Sequence, residues 1–274
     1  MTLATTYGIS LIPRYGLRAF LMQEYLRIMR SRLAWLIWAV IAYAVVALPF
    51  LMAKPPPELL GFIEDWLGRE DAHGKLLLFM WVDAAMNKLA IILGPALAGG
   101  IIADERAHGT LDLFAAKPVS PQTYYTIKLA AAGSALATFY LAACLVAAVT
   151  FPWRVDGFDV VDVTALSAVH LFAAIFSASF AGAVATFFER RLTGMLVSVA
   201  VLGVLVGIAF LGFYYPAYRT VSFVNPFFDG VFLIGSIGHI RAGDVALPVL
   251  LLIVFNLGFW LLGRQRATRS LQGE

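Results

Sequence analysis

A chain of 274 residues in which 61% are hydrophobic and only 14% are charged lies far outside the soluble range, where about a quarter of side chains carry charge. The composition is that of a membrane protein, and no nucleic-acid partner is expected. A single cysteine, Cys144, excludes an intrachain disulfide and a thiolate metal cluster, and a formal charge of +3 matters only through where the Lys and Arg residues fall.

The first apolar run begins near Leu33, after Arg14, Arg18, Arg27, Arg30 and Arg32, so a cleaved secretory signal peptide is not expected. Gly16 to Arg32 reads as an amphipathic helix with Leu17, Phe20, Leu21, Tyr25 and Ile28 on one arc and Gln23, Arg27 and Arg30 on the other. Such a helix lies along the inner membrane surface with its cations toward anionic headgroups. The alternative is that it continues the first span into the cytoplasm.

A hydrocarbon core of about 30 Å needs about twenty residues at helical rise, and six runs qualify. They are Leu33 to Met52, about Trp81 to Ile102, about Ile127 to Phe151, Ala165 to Phe188, Met195 to Tyr214, and about Val245 to Leu262. Leu59 to Leu67 reads as a short interfacial helix in the first outer loop. "YYPAYRTVSFVNPFFDGVFLIGSIGHIRAGD", between spans five and six, is too apolar for a free loop, yet Pro226, Asp229 and its glycines cut it into pieces too short to cross. Re-entrant helices are expected there, because irregular backbone at membrane depth must be surrounded by protein or line a cavity.

The expected fold is an all-α integral membrane protein: a cytoplasmic N-terminus with the amphipathic connecting helix over 1–32, a six-helix transmembrane domain over 33–263, and a cytoplasmic tail over 264–274. The termini then share one side. That side holds Arg14, Arg18, Arg27, Arg30, Arg32, Arg106, Lys117, Lys128, Arg190, Arg191, Arg264, Arg266 and Arg269, against Lys54, Arg69, Lys75, Arg154, Arg219 and Arg241 on the other. Thirteen cations against six predict both termini in the cytoplasm and, with a bacterial source, an inner-membrane location.

Chemistry-bearing patterns are sparse. "GREDAHGKL", residues 68 to 76, imitates a phosphate-binding loop but has five residues between its glycines, and Leu76 follows Lys75 where a Ser or Thr would hold the metal. His73, His108, His170 and His239 are scattered without metal-site spacing. No paired carboxylates or nucleophile elbow occurs in the apolar runs. The chain is therefore not expected to be an enzyme or to carry a cofactor. In "VDAAMNKLA", Asp83 and Asn87 share a helix face and Lys88 follows, an arrangement that fits either the lining of a substrate path near an outer gate or a plain interfacial cluster. Gly203 and Gly207 form a small-residue pair of the kind that lets membrane helices pack closely.

The stretch "IIADERAHGTLDLFAAKPVSPQTYYTIKLAAA" resembles the signature region of ABC-2 type permeases, the membrane subunits of type V ABC exporters, through Glu105, Gly109, Thr110, Leu111, Asp112, Pro118, Ser120 and Lys128. Asp112 stands where Glu is more usual. The resemblance implies an export path formed by two permease chains, alike or related, within the lipid bilayer. It also implies a separate dimer of cytoplasmic ABC ATPase subunits that carries ATP and Mg. Coupling to that ATPase falls on Asp104, Glu105, Arg106, Gly109, Thr110, Leu111 and Asp112, a polar knob between spans two and three. The alternative function is a non-transporting membrane scaffold that anchors an ATPase or a larger assembly.

Overall fold

The computed structural model describes residues 14–103, 119–153, 160–236 and 239–272. Among them the chain is all-helical, with no strand. Five helices are long and apolar enough to cross a membrane.

Helix α1 (Arg14–Met29) ends at a break over Arg30 and Ser31, and α2 (Arg32–Met52) starts afresh with the Ser31 hydroxyl accepting from the Ala34 N–H at 3.1 Å. The expected amphipathic helix is therefore a separate element. Its predicted apolar arc is half-buried and Gln23, Arg27 and Arg30 are exposed, but Met22 and Leu26 are exposed with them and Glu24 is buried, so the two faces are not cleanly divided as an amphipathic helix would require. Along α2 the buried positions Ala34, Ile37, Ile41, Val45, Leu48 and Met52 form one stripe at helical spacing. On its other side Trp35 and Tyr43 are 72% and 73% exposed, an arrangement suited to lipid and unfavourable in water.

Pro57 opens the short helix α3 (Pro57–Leu67), close to the expected interfacial helix. Gly68 (φ 86°) and Asp71 (φ 52°) then turn the chain into α4 (Ala72–Met80). Lys75, the lysine of the mock phosphate loop, is buried and donates to the Leu67 carbonyl at 2.9 Å. It caps the negative end of α3. Trp66 of α3 stacks on Tyr214 with ring centroids 4.4 Å apart and meets Phe79 edge-on.

From α4 the helix continues through a π-helical stretch, Trp81–Asn87, into α5 (Lys88–Ala98). The second predicted span differs most from expectation. Helical residues begin nine positions earlier than Trp81, and the helix stops at Ala98, short of Ile102, because Gly99 and Gly100 follow Pro95 and open a turn. The α-helical part after the π stretch is 11 residues long, below spanning length.

The remaining long helices are α6 (Pro121–Thr150), α7 (Val160–Ala185), α8 (Arg191–Tyr214) and α11 (Ala242–Gln272). Ser120 caps α6, accepting from the Thr123 N–H at 3.2 Å, with Pro121 at the first helical position. α11 runs on through Arg264 and Arg266, so the predicted tail continues the last span as helix. α7 is the central pillar, packed against α5, α6, α8 and α11. Gly203 and Gly207 of α8 are exposed, and a methyl added at either would meet no atom of the described residues within 4 Å.

After α8 the chain folds back through α9 (Arg219–Ser222) and α10 (Phe228–Phe232). Asn225 donates to the Leu205 carbonyl at 2.6 Å, and its own carbonyl accepts from the Phe227 N–H. The hairpin thus reaches about 14 Å back along α8, measured at helical rise. Gly212 permits the approach, because a methyl there would lie 1.9 Å from Ser222 Oγ.

Candidate functional site

Two polar features and one cavity stand out in this apolar bundle. The first lies at the junction of the π-helical stretch, α6, α7 and the hairpin. Asn87 and His170 are fully buried, with His170 Nε2 2.7 Å from Asn87 Oδ1. Tyr140 lies parallel to the imidazole at 6.0 Å between centroids and donates its hydroxyl to the Met86 carbonyl. π geometry widens the turn and opens its carbonyls to outside partners, and such bulges recur at functional sites. Gly230 of α10 presses on the same imidazole, since a methyl there would lie 3.2 Å from His170 Cδ2. Among the described residues neither Asn87 Nδ2 nor His170 Nδ1 has a hydrogen-bond partner. Buried polar atoms left unpaired cost about 1–3 kcal/mol each, so the junction is held together against a penalty.

The second feature surrounds the base of the predicted coupling segment. Asp104, Glu105, Arg106, Gly109, Thr110, Leu111 and Asp112 lie outside the described residues, as does Pro118. Their flanks are described. Ala103 is buried, and Lys128 near the start of α6 pairs with Glu24 of α1 at 3.2 Å, both side chains largely shielded from solvent. Arg27 pairs with the same carboxylate at 2.7 Å, and Lys128 also sits 5.2 Å from the Tyr124 ring centroid. Arg191 donates to the Ala96 carbonyl at 3.0 Å, tying the start of α8 to the end of α5. A cleft of about 340 Å³ separates these ties, lined by Glu24, Arg27, Lys128, Arg191 and the Gly100–Ile101 turn.

The cavity lies between the hairpin and the first turns of α11. It measures about 360 Å³ and is lined largely by Phe223, Phe232, Leu233, Leu247 and Pro248, with Asp229 and Asp244. Burial pushes the Asp229 carboxyl up to about 6.

The predicted group of Asp83, Asn87 and Lys88 is divided. Asn87 points inward to His170, Lys88 is exposed, and the Asp83 side chain lies outside the described set. In the sequence His170 stands without metal-site spacing and Asp229 looks like no more than a helix breaker. A histidine inside a span-length apolar run is nonetheless a signal in its own right. Among the described residues no group of three or more His, Cys, Asp or Glu side chains is placed to hold a metal.

All-helical architecture with five helices of spanning length defines a multi-pass membrane protein. The sequence matches no family model and no curated protein.

Proposed function

We propose that this chain is the permease subunit of an ATP-driven exporter of the ABC-2 type, forming the export path while a separate cytoplasmic ATPase dimer binds ATP and Mg. The single observation carrying this reading is the set of ties at the base of residues 104–118. Glu24–Lys128 joins α1 to α6, and Arg191–Ala96 joins α8 to α5. A push on that segment would therefore reach α1, α5, α6 and α8 together, which is what a coupling knob requires.

Within this reading the helical run Ala72–Ala98 serves as the sixth crossing. It is unbroken in helical residues across the π stretch, and both termini then face the cytoplasm of a bacterial inner membrane. α1 lies at the inner surface, and the hairpin after α8 is re-entrant from the opposite side. The exposed Gly203–Gly207 face of α8 is available to a second permease chain.

The test is purification of the full chain from its native membrane in mild detergent, followed by assay for a co-purifying ATPase. Wild type is expected to bring down an ABC ATPase, and the double charge reversal Glu105→Lys with Asp112→Lys is expected to lose it. Equal recovery and equal ATPase activity in that variant would overturn the coupling assignment.

A further inference from the structure

Apart from any coupling to an ATPase, the cavity between the hairpin and α11 has the chemistry of a binding site. Its volume of about 360 Å³ lies within the range of small-molecule pockets, about 300–1,000 Å³. One wall is aromatic and internally braced: Phe223, Phe228 and Phe232 pack ring to ring at 5.2, 5.6 and 6.0 Å. The facing wall is the start of α11, with Asp244, Leu247 and Pro248.

Asp229 gives the cavity its sign. Its side chain lines the cavity, the residue is only 8% exposed, and among the described residues no hydrogen bond or ion pair reaches its carboxylate. Asp244, at the mouth, accepts from the Arg241 N–H at 2.9 Å and is exposed. Among the described residues no Lys or Arg lines the cavity. Outside the lining, the Arg219 guanidinium lies 5.6 Å from the Phe232 ring centroid, an instance of the cation–π attraction that such a ring offers.

We infer that this cavity binds a lipophilic organic cation, its charged centre beside Asp229 and its apolar body against Phe223, Phe232 and Leu247. A carboxylate in a largely apolar wall strengthens attraction for a cation and penalises an anion of the same size, because water screens charge there less than in bulk. Aromatic faces add cation–π attraction. Burial holds the Asp229 carboxyl near 6, and a bound cation would pull it down again and keep it charged.

The site is tested on this chain alone, so its outcome is separate from that of the ATPase reading. The full chain in nanodiscs of phosphatidylcholine is titrated with tetraphenylphosphonium and, separately, with tetraphenylborate, a body of matching shape and opposite charge, with empty nanodiscs as the blank. Saturable binding of the phosphonium alone is expected. Asp229→Asn should weaken it about ten-fold or more, the value of one charge-assisted contact. Leu247→Trp, at a side chain 71% exposed at the mouth, should block the cavity without touching the fold. Leu192→Trp, on a remote exposed surface, should bind as wild type does. Equal binding of the borate, or wild-type phosphonium affinity in Leu247→Trp, overturns the assignment even if Asp229→Asn does not fold.

Discussion

Glu24 and Lys128 form an ion pair at 3.2 Å between α1 and α6, with side-chain exposures of 11% and 7%. Removing one member of a shielded pair typically costs about 3–5 kcal/mol and removing both far less, but without Lys128 the Glu24 carboxylate keeps its contact with the exposed Arg27 at 2.7 Å, so the loss here should fall below that range. Lys128→Met is accordingly expected to lower the unfolding midpoint in detergent and to speed tryptic cleavage after Arg27 and Arg30 as α1 comes away. Glu24→Gln combined with Lys128→Met should recover most of the loss. Strict additivity of the two single effects would show that the pair does not hold α1 in place.

The Asn87–His170 pair makes a different demand on mutagenesis. His170→Leu leaves Asn87 with no partner for its carbonyl, and a loss of about 1–3 kcal/mol is expected. Asn87→Leu with His170→Leu removes both the bond and the two orphaned nitrogens, so the double variant should melt at or above the wild-type temperature. A double variant less stable than either single one would mean that the junction is stabilising as built.

Asp229 makes stability depend on pH with a definite sign. Its folded value of about 6 lies above the ordinary 3.8, so its contribution is fully present below pH 3.8 and is lost as pH rises through about 6. Asp229→Asn should equal wild type near pH 4 and exceed it above pH 7. The expected gain is about 1–2 kcal/mol, allowing for water that reaches the open cavity. Comparing the two proteins at each pH isolates the contribution of Asp229. A gap that narrows as pH rises would contradict the burial argument.

Topology is open to direct labelling. With Cys144→Ala as background, a cysteine at position 70 should react with an impermeant maleimide in intact cells, and one at position 108 only after permeabilisation. Labelling of position 108 from outside would invert the arrangement and remove the coupling segment from the cytoplasm.

Long-range pairing explains what the sequence could and could not disclose. The length of an apolar run is a local property, and the runs from Leu33 and Met195 fall within helices α2 and α8. The Leu59–Leu67 helix and the break-up of the segment after Tyr214 were legible for the same reason: Pro and Gly act on their own neighbourhood. Asn87 was legible as an unusual residue but not in its role. Its partner His170 lies 83 positions away, and the π stretch that precedes α5 follows no 3.6-residue period. Asp229 was hidden by its company, because a carboxylate among aromatics and glycines reads as a turn until the fold sets α11 opposite it. The residues 104–112 themselves rest on their sequence resemblance, since they lie outside the described structure, and only the ties at their base are visible.

One further consequence concerns α11, whose 31 residues make a rod of about 46 Å. One end forms a wall of the cavity beside Asp229. Near the other end Arg264 donates to Gln122 at 3.1 Å and Trp260 to Thr126 at 3.1 Å, both on the first turns of α6. Pro248 is the one interior proline, close to the cavity end, so most of the rod beyond it is stiff. A tilt of about 5° with the cavity end held would swing the far end by about 4 Å over that length. Whatever seats itself in the cavity thus leans on a lever whose far end is fastened to the helix that emerges from the 104–118 segment.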